Sequence, residues 1–118
     1  MRRNTITITD SGIVTVPSET QMSISEIADL FGIYYQTVKR VIRKIEKSGT
    51  IQGDNMGTYA FERGRLYPDC YGLEMVVATS FQVQSEKAKI FRNWLLRKVT
   101  KTEIPEMQIT TNQNPMLN

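Results

Sequence analysis

The sequence predicts an α+β fold in a single domain. Segments in which apolar and polar residues alternate, as in half-buried strands, are interleaved with segments whose apolar residues recur every three or four positions, as in amphipathic helices. The 118 residues are enough for one domain with its own core and too few for two domains of ordinary size. We expect this domain to cover residues 1–101, followed over residues 102–118 by a flexible tail that is polar and contains two prolines.

An N-terminal β-hairpin is the first predicted element. Threonine and isoleucine alternate over residues 5–9, and residues 13–16 form a second β-branched segment that Pro17 ends. Residues 10–12 between them, Asp-Ser-Gly, are a typical turn sequence. Because two strands alone are only marginally stable, one face of this hairpin is expected to pack on helices.

Two amphipathic helices are predicted next. Ser23 and Glu26 fit a capping box at the start of the first helix, and Gly32 is placed to end it. The second helix begins after Tyr34 and ends at Gly49. The residues predicted to face the core are Ile24, Ile27, Ala28, Leu30 and Phe31 in the first helix and Val38, Val41, Ile42 and Ile45 in the second.

The second half of the domain is predicted as another hairpin followed by two helices. Residues 58–62 and 65–67 form strands joined by a two-residue turn, and residues 71–80 form a short apolar helix. Ser85 is a suitable N-cap for a longer C-terminal helix. Arg92 and Asn93 lie on the side of that helix away from its buried stripe, where they contact either a partner or nothing. The predicted buried stripe of that last helix is Ala88, Phe91, Trp94, Leu95 and Val99.

The composition excludes several classes of site. With no histidine and one cysteine, Cys70, the chain cannot build a Cys/His zinc site, a Ser-His or Cys-His nucleophile pair or an internal disulfide. No glycine-rich loop is followed by the Lys-Ser/Thr of a phosphate-binding motif. We therefore expect a protein that is not an enzyme and that uses no metal and no cofactor. The cysteine usage fits the cytoplasm, and the longest apolar run, residues 75–78, is far too short to cross a membrane.

Positive charge is concentrated in the middle of the chain. The net charge is +3, but residues 35–67 alone carry seven Lys and Arg against three acidic residues. Within residues 36–47 there are five basic side chains and one acidic one. Such a cluster is typical of a phosphate-binding surface, although a solvated helix face has the same composition.

The spacing over residues 25–45 fits a helix-turn-helix. Ala28 is small where the second helix must cross closely, and Gly32, four positions later, permits a sharp turn that Ile33 would plug. Val38 and Val41 then face back onto the first helix. The predicted fold is therefore a winged helix-turn-helix-like domain with an N-terminal β-hairpin, a wing hairpin and C-terminal helices. A plain structural α-hairpin would satisfy the same spacing.

The outward residues of the second helix are the candidate DNA contacts. Gln36 suits adenine, while Lys39 and Arg40 suit either guanine or phosphate. Tyr34 is left open between exposure and burial, whereas Tyr35 is predicted to point outward. At the tip of the wing hairpin, Arg63 and Arg65 suit phosphate or the minor groove, although an ordinary solvated turn would look the same. The complete predicted DNA-binding set is Tyr35, Gln36, Thr37, Lys39, Arg40, Arg43, Lys44, Lys47, Arg63 and Arg65.

Three blocks in sequence order carry a resemblance to a known family. They are residues 22–42 with Ile27-Ala28-Asp29-Leu30-Phe31-Gly32, the hairpin leading into Tyr71-Gly72-Leu73-Glu74, and residues 80–94 with Ser80-Phe81-Gln82-Val83-Gln84-Ser85 and Phe91-Arg92-Asn93-Trp94. In these blocks the chain resembles the N-terminal part of the RhuM-type virulence and phage-associated DNA-binding proteins. The resemblance implies DNA binding and an association with mobile elements.

The resulting expectation is a sequence-specific double-stranded DNA-binding protein, a transcriptional regulator of a prophage or other mobile element. Since a single helix-turn-helix unit rarely achieves specificity alone, a homodimer is expected. The C-terminal helix and the N-terminal hairpin are both available as its interface. The alternative is a protein–protein interaction module that uses the same fold and binds no DNA.

Overall fold

Four helices and two antiparallel hairpins form the part of the chain that the computed structural model describes, residues 4–49, 59–62 and 65–103. This confirms the predicted α+β class. The elements are β1 (Thr7–Ile8), β2 (Val14–Thr15), α1 (Ile24–Phe31), α2 (Tyr35–Ser48), β3 (Tyr59–Glu62), β4 (Arg65–Pro68), α3 (Leu73–Ser80) and α4 (Glu86–Glu103).

The N-terminal hairpin is present but shorter than the alternation predicts. Its ladder pairs Thr7 with Thr15 and Ile8 with Val14. Upstream of the ladder, Asn4 accepts a hydrogen bond from the backbone N–H of Gln21 at 2.9 Å, so the chain leaves its hairpin partner. The physical reason is that Pro17, on the opposite strand, has no N–H with which to continue the ladder.

Both helices of the central pair begin and end where the sequence predicts. At the start of α1, Ser23 and Glu26 form a reciprocal capping box, with hydrogen bonds of 2.8 and 3.2 Å. Gly32 ends the helix in the left-handed conformation, at φ 65°, which a residue with a side chain adopts only at a cost. Gly49 closes α2 in the same way, at φ 76°.

One core joins the N-terminal hairpin to the helices. Phe31 of α1 and Phe91 of α4 are fully buried, with ring centroids 5.7 Å apart, and Trp94 stacks on Phe91 at 5.8 Å. Ile6 is buried in the same core, which confirms that the N-terminal hairpin packs on helices. The remaining buried apolar residues are Met22, Ile24, Ile27, Ala28, Leu30, Val38, Ile42, Ile45, Tyr71, Met75, Val76, Val83 and Ala88.

The buried stripe of α4 is shorter than predicted. Ala88 and Phe91 are buried and Trp94 is half-buried, but Val99 is 59% exposed, so its predicted burial is wrong. All five residues from 96 to 100 are exposed, because this end of α4 extends beyond the elements that cover its first half. The helix continues through Glu103, two residues past the predicted end of the domain. Residues 104–118 lie outside the described part, and the flexible tail stays a prediction.

Arg92, predicted on the side of α4 away from its buried stripe, makes contacts within the chain. Its Nη1 donates to the backbone carbonyl oxygens of Ser80 and Val83, the latter at 3.3 Å. Ser85 caps α4 as predicted, because its Oγ accepts from the N–H of Ala88 at 3.0 Å. The connection between α3 and α4 is therefore held from both sides.

None of the helices in the described ranges is long and apolar enough to cross a membrane.

Candidate nucleic-acid interface

The candidate site is built on α2, which α1 and the core hold in place. Val38 and Ile42 are fully buried and Ile45 is 8% exposed, so one face of α2 lies against the rest of the domain. Ala28 on α1 is also buried, as expected for the position where the two helices approach closely. Only three residues, 32–34, connect the two helices. The opposite face of α2 is open to solvent.

The open face of α2 carries a row of polar and basic side chains. Gln36, Arg40, Lys44 and Lys47 are all exposed, and their spacing of four, four and three positions keeps them on one side of the helix. With a rise of about 1.5 Å per residue, the row is about 16 Å long. It presents one amide and three cations to solvent. The flanking Thr37 and Lys39 are half-buried.

The N-terminal end of α2 adds aromatic surface. Tyr34 is 85% exposed, which answers the question that its sequence position left open, and Tyr35 is 44% exposed, as predicted. Within the described residues the Tyr34 side chain makes no capping hydrogen bond. The first turn of α2 contains no acidic residue, so the partial positive charge of the helix end is not neutralised there.

Arg43 does not share the exposed row, so its predicted outward position is wrong. Its side chain is only 16% exposed, and its Nη1 donates to the hydroxyl of Tyr71 at 2.8 Å and to Oε1 of Glu46 at 3.3 Å. The helical repeat alone places Arg43 on the outer side of α2. Tyr71, 28 positions later in the chain, covers that part of the helix.

Burial is the largest influence on the pKa values of Tyr71 and Glu46, the two partners of Arg43. It raises the pKa of the Tyr71 hydroxyl, so Tyr71 stays neutral and can donate a hydrogen bond to Glu46. Burial also raises the pKa of the Glu46 carboxyl, against the opposing effects of the Tyr71 hydrogen bond and the Arg43 charge. The three side chains form a connected network that fixes α2 to the segment after β4. Sequence reasoning missed this role of Tyr71, because no local pattern connects residues so far apart in the chain.

The backbone around Tyr71 extends this connection to the start of α1. Met22 and Tyr71 form an antiparallel bridge with two hydrogen bonds, at 2.9 and 2.8 Å. The second hairpin, β3–β4, leads directly into this bridge and pairs Glu62 with Arg65 as the predicted two-residue turn requires. Of the predicted wing residues, Arg63 lies outside the described part of the chain. Arg65 begins β4, and the structure describes its backbone only.

A groove of about 790 Å³ borders the start of α2. One part of its lining comes from the end of α1 and the turn, including Asp29, Tyr34 and Thr37. The other part comes from residues 82–84 in the connection between α3 and α4. The structure thus brings a segment from the second half of the chain beside the predicted DNA-reading end of α2.

Of the predicted DNA-binding residues, the structure brings together those on α2 other than Arg43. The described residues contain no group of three or more His, Cys, Asp or Glu side chains that could hold a metal ion.

Comparison with known proteins gave no match: no protein-family model, no curated protein and no solved structure is significantly similar to this chain.

Proposed function

We propose that this protein binds double-stranded DNA in a sequence-specific manner, with α2 as the recognition helix. The observation that carries the proposal is the exposed row Gln36, Arg40, Lys44 and Lys47, on a helix whose other face is fully packed. A row of three cations and an amide about 16 Å long suits the major groove, which is about 12 Å wide and admits one α-helix.

Each side chain of the row has a role set by its place on the helix. Gln36, at the N-terminal end, pairs with the donor and acceptor that adenine presents in the major groove. Arg40, with Lys39 beside it, contacts guanine or a nearby phosphate. Lys44 and Lys47, further along the helix, contact phosphates and position the protein without selecting a sequence.

The second hairpin has the place of a wing in this proposal. It directly follows α2 in the chain, and the Met22–Tyr71 bridge connects its end to the start of α1. Arg63 and Arg65 then contact phosphate or the minor groove next to the site read by α2. Together with the resemblance to RhuM-type proteins, this supports a transcriptional regulator of a prophage or mobile element that acts in the cytoplasm.

A homodimer completes the proposal, since one recognition helix selects too few base pairs. Exposed apolar side chains on the far end of α4 support this: Leu96 is 56% and Val99 59% exposed, at a spacing that places them on one side of the helix. Of the two interfaces that the sequence leaves open, the C-terminal helix carries these two exposed apolar residues, and the N-terminal hairpin carries Ile13, which is 61% exposed.

The decisive experiment begins with selection of bound duplexes from a random library and continues with fluorescence-polarisation titrations of the selected duplex. Binding should weaken linearly on a log–log plot against salt concentration. Lys39→Ala combined with Arg40→Ala should weaken binding and reduce that slope by about one unit for each lost phosphate contact. A palindromic selected site would support the dimer.

The matched control is Lys89→Ala, compared with Arg40→Ala alone. Lys89 is exposed in the first half of α4, away from Leu96 and Val99, and both substitutions remove one positive charge. If the two single variants bind equally, net charge and not α2 determines binding, and the assignment of the recognition helix is wrong.

The exposed apolar residues of α4 and the exposed Tyr34 also favour a second candidate, a protein–protein interaction module without DNA binding. The same titrations decide between the two functions. A chain that is monomeric at micromolar concentration and has no affinity for duplex DNA at low salt would support the interaction module and contradict the first proposal.

A further inference from the structure

The connection between α3 and α4 places two glutamines beside the N-terminal end of α2. Gln82 and Gln84 are exposed, and both line the groove that Tyr34 and Thr37 border. Their position next to the end of the helix that carries Gln36 puts them on the surface proposed to face DNA.

The connection between α3 and α4 contains no helix or strand, but several contacts fix it in place. Val83, between the two glutamines, is 3% exposed and anchors the segment in the core. Arg92 donates to the carbonyl oxygens of Ser80 and Val83, and the N–H of Gln82 donates to the carbonyl of Thr79 at 2.9 Å. A segment held in this way presents side chains at a defined place, which base recognition requires.

The chemistry of the groove suits base edges better than phosphates. Its described lining includes the carboxylate of Asp29 and the amides of Gln82 and Gln84, and it includes no Lys or Arg. A phosphate would meet a negative charge there with no described cation to offset it. Amides, by contrast, pair bidentately with adenine in the major groove.

We propose that Gln82 and Gln84 form a second base-reading element that extends the sequence read by α2. This inference rests on the proposed DNA-binding function and adds specificity residues from a different part of the chain. Being uncharged, the two side chains contribute to sequence preference and not to the attraction of the phosphate backbone.

The test is Gln82→Ala combined with Gln84→Ala, titrated against the selected duplex and a scrambled one over a series of salt concentrations. Affinity for the selected duplex should fall by about tenfold or more. Affinity for the scrambled duplex and the salt slope should stay as in the wild type, because no phosphate contact is lost. Asn93→Ala removes an exposed amide from α4, outside the groove, and serves as the matched control that should change neither affinity.

A change of preference gives a second and independent readout. Gln84→Glu replaces an amide that suits adenine by a carboxylate that accepts a hydrogen bond from cytosine, so repeating the selection should show cytosine in place of adenine at one position of the site. The inference would be overturned if the double alanine variant bound the selected duplex as tightly as the wild type and Gln84→Glu selected the same sequence. The bases would then be recognised by α2 alone. A wild-type chain that binds no duplex at low salt would overturn the proposed function itself.

Discussion

The network around Tyr71 allows a sharp test of how α2 is held. Tyr71→Phe removes one oxygen atom and leaves the ring in place. The hydroxyl is fully buried, accepts a hydrogen bond from Arg43 at 2.8 Å and donates one to Glu46. In the variant, the Arg43 guanidinium and the Glu46 carboxylate each lose one hydrogen-bond partner, in a site with little access to water.

The expected loss in the free energy of unfolding is about 2 kcal/mol. A hydrogen bond to a charged group contributes about 1.5–3 kcal/mol. Two such bonds are lost, but the direct contact between Arg43 and Glu46 at 3.3 Å remains, and their side chains keep 16% and 9% of their exposure, so water partly replaces the hydroxyl. These two effects reduce the sum toward the value of a single bond.

Urea unfolding provides the assay, since Trp94 is the only tryptophan of the chain and packs on the buried ring of Phe91. A loss of about 2 kcal/mol lowers the midpoint by about 1 M urea. Tyr34→Phe is the matched control: it removes the same atom from a residue that is 85% exposed and should leave the midpoint unchanged. A loss below about 0.5 kcal/mol for Tyr71→Phe, or equal losses for both variants, would refute the role assigned to the network.

Two further predictions concern the turn and the pH dependence. Gly32→Ala should lower the free energy of unfolding by about 1 kcal/mol in the same urea assay, because Gly32 has φ 65° while no heavy atom lies within 4 Å of an added Cβ, so the cost is backbone strain alone. Gly32→Asn should cost less, since asparagine tolerates this conformation, and equal losses would contradict this account. Because burial raises the pKa of Glu46 above its ordinary 4.5, the folded state holds this proton more tightly than the unfolded chain. The protonated form of Glu46 therefore stabilises the folded state at low pH. This contribution to the free energy of unfolding is lost as the pH rises from about 4.5 through the raised pKa of Glu46. Glu46→Gln should remove that loss, so the stability of this variant relative to the wild type should rise as the pH increases above about 4.5, and a difference that is constant with pH would be the contrary result.

Much of the local structure follows from short-range patterns. The capping box of Ser23 and Glu26, the left-handed ends at Gly32 and Gly49 and the N-cap Ser85 all stand where the sequence predicts them. Each depends on residues within four positions of one another, so spacing along the chain is enough to predict it. The burial of Val38, Ile42 and Ile45 follows for the same reason, since the helical repeat determines which side chains share a face.

The sequence-based predictions are wrong where burial depends on a distant segment, which either covers a helix face or fails to reach it. Arg43 is on the outer side of α2 by its spacing, yet Tyr71 covers it. Val99 continues the apolar stripe of α4, yet the elements that bury Phe91 do not reach it, and it is exposed. A helical repeat gives the direction of a side chain and not whether anything packs against it.

The amino-acid sequence by itself therefore determined the α+β class, the order and caps of the helices and the basic character of α2, because each depends on neighbours in the chain. Only the tertiary structure decided that Tyr34 is exposed, that Arg43 and Arg92 turn inward as structural contacts, and that Gln82 and Gln84 lie beside the start of α2. These placements depend on contacts between residues far apart in the chain, which form only when the core closes.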